Sequence, residues 1–302
     1  MRLERNIAHY HLPGLFEFFD LYRVFLPLFS EHREYFYDWC DIGSIYGAPA
    51  DCIWGGGRIG ATDCNPRKVL TLMRNYGISA RLTFSNSLLR PEHLSDRKCN
   101  AVCELFAAGN GPENGVIVCS EFLLDYLRRK YPELYLVSST TKVLSDFGEF
   151  EAELGREEFR YVVADFRLNK AFSQLEKLPR KMKDKAEFLC NECCDTHCEE
   201  RKQCYEAVSR EVLGEDGPEH RCRAPHGGEG YVFSRAMENP EFIGIDDIRK
   251  RYLPMGFSNF KIEGRSLGSA LVLEFLLYYM TKPEYQLCVR EKIYLSNTLD
   301  LF

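Results

Sequence analysis

Residues 186–205 read AEFLCNECCDTHCEERKQCY, and this stretch holds the unit from which the fold is predicted. Residues 186–190 form a short apolar run, which predicts a buried strand. Polar residues follow the run at once, and residues near 200–213 are then predicted to form a helix. The order is therefore a strand, a polar strand end and a helix.

The same order recurs along the chain. Short apolar runs predict seven further strands, at 41–46, 78–84, 115–119, 134–138, 159–164, 242–243 and 257–263. Helical spacing predicts most of the segments between them, at 65–76, 91–108, 121–129, 146–155, 170–177, 245–252 and 267–280. A helix between two strands returns the chain to the same end of the sheet, so the strands must be parallel.

About eight such units predict an α/β fold, a (β/α)8 barrel of the TIM type. A doubly wound open sheet is the alternative topology. The glycine-rich loop at 55–57 does not favour a dinucleotide-binding version of that sheet, because it lacks the G-x-G-x-x-G spacing and no helix begins directly after it. A length of 302 residues suits a single barrel.

The domain organisation follows from this pattern. Residues 1–36 are predicted to be a lead-in helix, and residues 37–302 a single TIM-type barrel domain with a cysteine-rich loop at 190–230. The apolar stretch at 14–29 is interrupted by Glu17, Asp20 and Arg23, so it predicts an amphipathic helix and no membrane span.

Composition narrows the class of protein. The net charge of −6 creates no general field that attracts nucleic acid, so RNA binding would need a local basic patch. Thirteen cysteines could indicate a secreted disulfide scaffold, but the count is odd and no signal peptide is recognised. We therefore expect a cytoplasmic protein with reduced thiols, some of them bound to metal.

Polar side chains follow the predicted strands at the point where each strand ends. They are Asn86, Ser139 to Thr141, Asp165, Asn169, Asn191, Glu192, Glu263 and Arg265. In a barrel these positions share the C-terminal face, where TIM-barrel enzymes build their active sites. The pattern therefore predicts an enzyme site at this face.

The cysteines of the opening stretch predict a metal site. Five of them fall within fifteen residues, at positions 190, 193, 194, 198 and 204. Zinc ribbons use two C-x2-C pairs, which are absent here, whereas iron–sulfur clusters tolerate irregular spacing and a distant ligand. Two distant candidates are Cys52, in the loop after the first predicted strand, and Cys222, in the loop at 214–230.

Several motifs resemble the collagenase-like peptidase family (peptidase family U thirty-two) and its relatives in oxygen-independent hydroxylation. The most specific is KIEGR at 261–265, which is similar to a signature after the last strand of that family. The others are Asn191-Glu192 with Cys194-x3-Cys198 and Arg201, then Tyr46-Gly47 followed by Cys52 and Arg58, and the polar turn SSTT at 138–141.

The resemblance implies an α/β barrel, often incomplete or distorted, with a four-cysteine [4Fe–4S] cluster in its mouth. Cys194 and Cys198 match the closing pair of ligands, and Cys52 matches a ligand in the first loop. Cys222 is assigned as the fourth ligand, with Cys204 and Cys190 as alternatives. Several relatives work as pairs, which implies a partner subunit.

These observations lead to a functional hypothesis: an iron–sulfur enzyme for oxygen-independent hydroxylation, or a related redox modification, of a small aromatic or nucleobase-type substrate, free or in RNA. Its substrate would be oriented by Asn86, Asn191 and Glu192. Arg265, and likewise Arg58, would hold a carboxylate or phosphate, although Arg265 could instead pair with Glu263. The alternatives are a non-redox scaffold with a structural zinc–cysteine site and a peptidase.

Overall fold

Eight parallel strands close into one barrel in the computed structural model, which describes residues 7–56, 64–108, 111–218, 220–224 and 231–299. The strands are β1 Ala8–Pro13, β2 Cys40–Gly47, β3 Ser79–Phe84, β4 Gly115–Val118, β5 Tyr135–Ser138, β6 Phe159–Val163, β7 Ala186–Leu189 and β8 Asn259–Lys261. Each strand pairs with its neighbour in sequence, and β8 pairs with β1. The predicted TIM-type (β/α)8 fold is confirmed, and the barrel is closed.

Helices surround the barrel. In chain order, the first nine are α1 Phe19–Glu31, α2 Pro66–Asn75, α3 Arg97–Ala107, α4 Glu121–Lys130, α5 Phe147–Gly155, α6 Phe172–Leu175, α7 Arg180–Lys185, α8 Arg201–Leu213 and α9 Phe233–Glu238. After them come α10 Ile245–Asp247, a π-helical turn Ile248–Tyr252, α11 Leu253–Met255, α12 Ser269–Met280 and α13 Gln286–Leu299. Within the described ranges, the helices are all too short or too polar to cross a membrane.

The first strand lies in the segment that was predicted to be a lead-in helix. The structure differs from the prediction for residues 1–36, because β1 precedes α1 and belongs to the barrel. Ala8 stands opposite Cys40 on β2, and His9 stands opposite Asn259 on β8. Without β1, the edges of β2 and β8 would lack backbone partners, so this strand closes the sheet.

The weak strand predicted at 242–243 is wrong. Phe242 N–H donates to the carbonyl of Asn239 at 2.9 Å, which makes a turn, and Ile243 N–H donates to the carbonyl of Cys190 at 3.0 Å. The segment therefore extends the end of β7 by one hydrogen bond, but it forms no strand.

Side chains alternate between two cores along the strands. On β7, Phe188 faces the helices and packs edge-on against Tyr252 and Phe257, with ring centroids 4.9 and 5.1 Å apart. Its neighbours Glu187 and Leu189 face the inside of the barrel, where Glu187 meets charged side chains from other strands and Leu189 lines a cavity. The outer core is therefore apolar, whereas the barrel interior contains charge.

The interior combines a small apolar cluster with polar groups. Its apolar members are Tyr46, Ile117, Val137 and Val163. Branched apolar residues usually fill the inside of a TIM barrel, so buried charges there call for a specific explanation. Gly115 on β4 makes room for one polar member, because a Cβ at this position would lie 2.4 Å from the ring of Tyr135.

Candidate active site at the mouth of the barrel

A cavity of about 90 Å³ opens at the C-terminal ends of the strands. Thr83 on β3 and Lys261 at the end of β8 contribute to its lining, together with Ser85 and Arg265 from the loops that follow these strands and Tyr205 from α8. A dry cavity of about 150 Å³ holds one benzene molecule. This cavity therefore accepts only a small molecule or one end of a larger one.

A buried charge network lies inside the barrel and reaches the cavity through Lys261. The carboxylate of Glu187 on β7 is 2.5 Å from Arg81 Nη1, 3.5 Å from His11 Nε2 and 3.7 Å from Lys261 Nζ. Arg81 Nε also donates to the hydroxyl of Tyr135 at 3.0 Å. All four charged or titratable side chains are at least nine-tenths buried. They come from β7, β3, β1 and β8, so only the closed barrel brings them together.

Burial and charge together set the protonation states. Burial raises the pKa of Glu187, but the charges of Arg81, His11 and Lys261 outweigh it and lower this pKa to about 2. Burial and the nearby Arg81 hold the pKa of His11 well below its ordinary value. Glu187 is therefore ionised and His11 is neutral near pH 7.

Lys261 differs from an ordinary lysine. Burial, opposed by Glu187 and reinforced by Arg81 and Arg265, lowers its pKa from 10.5 to about 7. Its ammonium lies over the ring of Tyr46, 3.2 Å from the centroid. Near pH 7, Lys261 is therefore present in comparable amounts as an ammonium and as a neutral amine.

Four buried polar atoms of the cavity lining have no hydrogen-bond partner among the described residues. They are Lys261 Nζ, Arg265 Nη2, Thr83 Oγ1 and Ser85 Oγ. Buried polar atoms in proteins are nearly always hydrogen-bonded, and leaving one unsatisfied costs roughly 1–3 kcal/mol. Because all four converge on one cavity and can donate hydrogen bonds, the cavity is suited to an occupant with acceptor oxygens.

Arg265 is held in place by an acid from the start of the chain. Its Nε donates to Glu17 Oε1 at 3.0 Å, and both side chains are buried. Glu17 lies between β1 and α1, in the part of the chain predicted as a lead-in helix. The structure therefore pairs Arg265 with Glu17, and this pairing orients the guanidinium while its Nη2 stays available to the cavity.

Two predicted site residues form hydrogen bonds that hold together the loops around the mouth of the barrel. The amide of Asn86 donates to the carbonyls of Ile53 and Ser209, at 3.1 Å each. Asn191 Oδ1 accepts from the N–H of Glu263 at 2.7 Å, which ties the end of β7 to the segment after β8. In this structure, the amides of Asn86 and Asn191 are thus engaged with backbone groups.

The third predicted residue, Glu192, anchors the cysteine loop. Its Oε2 is 2.6 Å from Arg201 Nη2, and its Oε1 accepts from the N–H groups of Cys193 and Cys194, at 3.0 Å each. Arg201 Nε also lies 3.7 Å from Asp165. This buried network fixes the loop to the start of α8, and the Glu192 carboxylate is engaged within it.

The predicted cluster ligands lie in different surroundings. Cys194 is half-buried, and burial together with the charge of Glu192 raises its pKa to about 11. Cys198, also half-buried, is close enough to Cys194 to interact electrostatically. Cys52 is buried beside Cys99 of α3, whereas Cys222 is exposed.

The fourth-ligand alternatives have different environments again, since Cys190 is fully buried and Cys204 is half-buried on α8. Across the described ranges, no three His, Cys, Asp or Glu side chains are grouped to hold a metal ion. A four-cysteine cluster needs four thiolates around one centre, so the assigned residues do not fit it in this arrangement. The ligand assignment stays a prediction, and Arg58 lies outside the described residues.

The charge network was missed by sequence reasoning, although a signal for it exists. Arg81 and Glu187 each stand within a short, otherwise mostly apolar strand, Lys261 follows Phe260 in a predicted strand, and His11 stands in a strand that was not recognised. A charged residue is seldom buried unless it is paired. Its position inside a predicted strand therefore indicates a partner on another strand.

Comparisons with known proteins bear on the fold. No protein-family model matches the sequence, and no curated protein matches it. Among solved structures, the chain is similar to one described as "The Structure of the U32 Peptidase Mk0906". The match has a TM-score of 0.53 and 13% sequence identity, and it covers 85% of this chain and 93% of that chain. At this identity the similarity concerns the fold alone, and at that level it supports the resemblance to collagenase-like peptidases.

Proposed function

We propose that the protein is an enzyme whose active site is the mouth cavity, and that its substrate is a small molecule, or the end of a larger one, that carries a carboxylate or a similar oxyanion. The proposal rests on the convergence in this cavity of four buried polar atoms that have no hydrogen-bond partner in the part of the chain that the structure describes. Two of them belong to basic side chains, which favours an anionic occupant. If these residues were only structural, their buried polar atoms would stay without hydrogen bonds, which would lower the stability of the protein.

Arg265 is the group that would hold the oxyanion. Glu17 occupies its Nε, so the guanidinium is oriented before a ligand arrives. Its Nη2 is buried and can donate to an oxygen in the cavity. An arginine fixed in this way pays little entropy on binding, which positions the substrate for reaction.

Lys261 is the group that would transfer a proton. Its pKa of about 7 lets it give or accept a proton near neutral pH. Glu187 stabilises the ammonium form, and Arg81 opposes it, so the network beneath Lys261 holds the two forms in balance. The hydroxyls of Thr83 and Ser85 would donate to the other oxygens of the substrate.

A thermal-unfolding screen tests this proposal. The probes are sodium pyruvate, acetate, phosphate and sulfate, at matched ionic strength. A ligand at a hundred times its Kd should stabilise the folded protein by about 2.7 kcal/mol. We expect at least one of these anions to raise the Tm of the wild type and of the control Arg290→Gln, which alters an exposed ion pair with Glu274.

The variant Arg265→Gln should lose that increase, because the glutamine amide cannot supply the charge. The proposal is overturned if no anion raises the Tm of the wild type. It is also overturned if Arg265→Gln responds as strongly as the wild type.

Peptide hydrolysis is a second candidate, favoured by the fold similarity to a structure described as a U32 peptidase. The terminal carboxylate of a peptide would suit the same cavity. Incubation with a denatured protein under reducing conditions tests it: release of terminal residues by the wild type, and none by Lys261→Met, would support this reaction. No release at all would exclude it for that substrate.

Oxygen-independent hydroxylation, which the family resemblance implies, is the third candidate. Its test is iron, sulfide and zinc analysis of protein purified without oxygen, with Cys194→Ser alongside. About four irons and four sulfides per chain, lost in the variant, would support the cluster. One zinc and no iron would favour a structural metal site in the cysteine loop.

A further inference from the structure

Building on the proposed function, we propose that the amine of Lys261 forms an imine with a 2-oxo acid in the mouth cavity. The substrate class would then be a small acid whose carbonyl group stands next to its carboxylate. This deepens the role of the site, since Lys261 would bond covalently to the substrate.

The position of Lys261 Nζ is unusual for a structural lysine. It is buried, it lines the cavity, and it has no hydrogen-bond partner within the described part of the chain. As an ammonium, it forms an ion pair with Glu187 at 3.7 Å, beyond hydrogen-bonding distance. As a neutral amine, it has a lone pair, and no donor among the described residues forms a hydrogen bond to it.

The surroundings make that neutral form accessible near pH 7. Lys261 is held among Arg81, Arg265, Glu187, His11 and the ring of Tyr46. Burial is the largest influence and lowers its pKa to about 7, and the two arginines act in the same direction. A desolvated lysine beside other cations is the form of lysine that acts as a nucleophile toward carbonyl carbons.

The neighbouring Arg265 selects the substrate class. Its unpartnered Nη2 and Lys261 Nζ line the same cavity of about 90 Å³. Because the cavity is small, we infer that a carboxylate bound to Arg265 would bring the adjacent carbon of the substrate toward Lys261. A carbonyl at that position is the electrophile that an amine attacks, and the small volume favours short-chain acids.

The reaction balances without a redox partner. The lone pair of the Lys261 nitrogen attacks the carbonyl carbon, and the carbonyl oxygen takes up a proton to give a carbinolamine. A second proton, taken from water, then lets the carbinolamine oxygen leave as water, and the nitrogen lone pair forms a protonated carbon–nitrogen double bond. The substrate is neither oxidised nor reduced, and water is the only product released.

Reductive trapping tests this proposal. The full-length protein is incubated with pyruvate and sodium cyanoborohydride near pH 7, and the adduct is located by peptide mass spectrometry. The reductant supplies a hydride to the imine and leaves a 1-carboxyethyl group on the lysine. We expect one such group per chain, on Lys261, in the wild type and in Lys250→Arg, whose side chain is exposed.

Lys261→Arg keeps the positive charge but cannot form an imine, so it should yield no adduct at this position. Because the adduct is located in the wild type, the result does not depend on whether the variant folds. Adducts spread over exposed lysines, with none on Lys261, would overturn the inference.

The thermal-unfolding screen separates the two proposals. If pyruvate raises the Tm but leaves Lys261 unmodified, the imine is wrong and the oxyanion site stands. If neither pyruvate nor any other anion in the screen binds, and no adduct forms, both proposals fail.

Discussion

Replacing Lys261 with methionine is expected to stabilise the protein while it removes the proposed reaction. Methionine is of similar length and fills the same space without a charge. The wild type must bury an ammonium that forms no hydrogen bond with the described residues, or else release its proton. Groups tuned for catalysis often reduce stability in this way.

The sign and size of the effect follow from the pKa of Lys261. It is 10.5 for an ordinary lysine and about 7 in the folded protein. Between these values the unfolded chain binds more protons, so the stability of the wild type rises with pH by up to about 1.4 kcal/mol per unit. Below about pH 7 the wild type carries the full cost, on the order of 5 kcal/mol, and above about pH 10.5 it carries none.

Urea unfolding of the wild type and Lys261→Met across about pH 6 to pH 9.5 measures this difference. Titrating groups that do not contact Lys261 are common to both proteins and cancel, and Glu187, whose pKa is about 2, stays ionised throughout this range. The variant should be more stable at the acidic end, and its advantage should shrink steadily as pH rises. Lys250→Met, at an exposed position, should show no such trend. A difference that does not change with pH, or a variant that is less stable at the acidic end, would refute the reasoning.

Three further changes test the structure around the site. Glu187→Gln leaves its buried cationic partners without a counter-charge, so the free energy of unfolding measured with urea should fall by about 3–5 kcal/mol. The control Glu274→Gln, in an exposed ion pair, should change this free energy by less than about 0.5 kcal/mol. Similar losses in the two variants would contradict the charge network. Gly115→Ala places a methyl group against the half-buried ring of Tyr135 and should cost about 1–3 kcal/mol in the same assay. Gly155→Ala, which meets only one atom at 3.8 Å, should be neutral, so equal losses would count against the close contact. Arg201→Met removes the partner of a buried carboxylate and should increase hydrogen exchange at residues 193–198, whereas unchanged exchange would mean that this pair does not hold the loop.

The barrel was predictable from local sequence because most of its strands show two signals, an apolar run and polar residues directly after it. The runs at 115–119 and 159–164, for example, are apolar and end in polar residues, and the structure has strands at Gly115–Val118 and Phe159–Val163. The sequence signal for the first strand is weaker, because Ala8–Pro13 contains two histidines and lies before a segment rich in Phe, Leu and Tyr. Its pairing with β2 and β8 is a tertiary effect that no local pattern reveals.

The site was predictable in its location but not in its composition. Polar residues after the strands pointed to the C-terminal face, and Arg265 does line the cavity there. Glu192 also follows a strand, but its carboxylate is engaged by Arg201, which only the three-dimensional arrangement reveals. Glu187 and Lys261 lie 74 positions apart in the sequence and become neighbours because β7 pairs with β8.

Chemical labelling of Lys261 tests the central claim most directly. The protein is treated briefly with acetic anhydride near pH 7, with and without the anion that gives the largest thermal stabilisation, and acetylation is measured for each lysine. Ordinary lysines are almost fully protonated at this pH, so Lys261 should react ahead of the exposed Lys250, and the anion should protect it. If Lys261 reacts no faster than Lys250, or if a saturating anion leaves its labelling unchanged, the mouth cavity is not the site described.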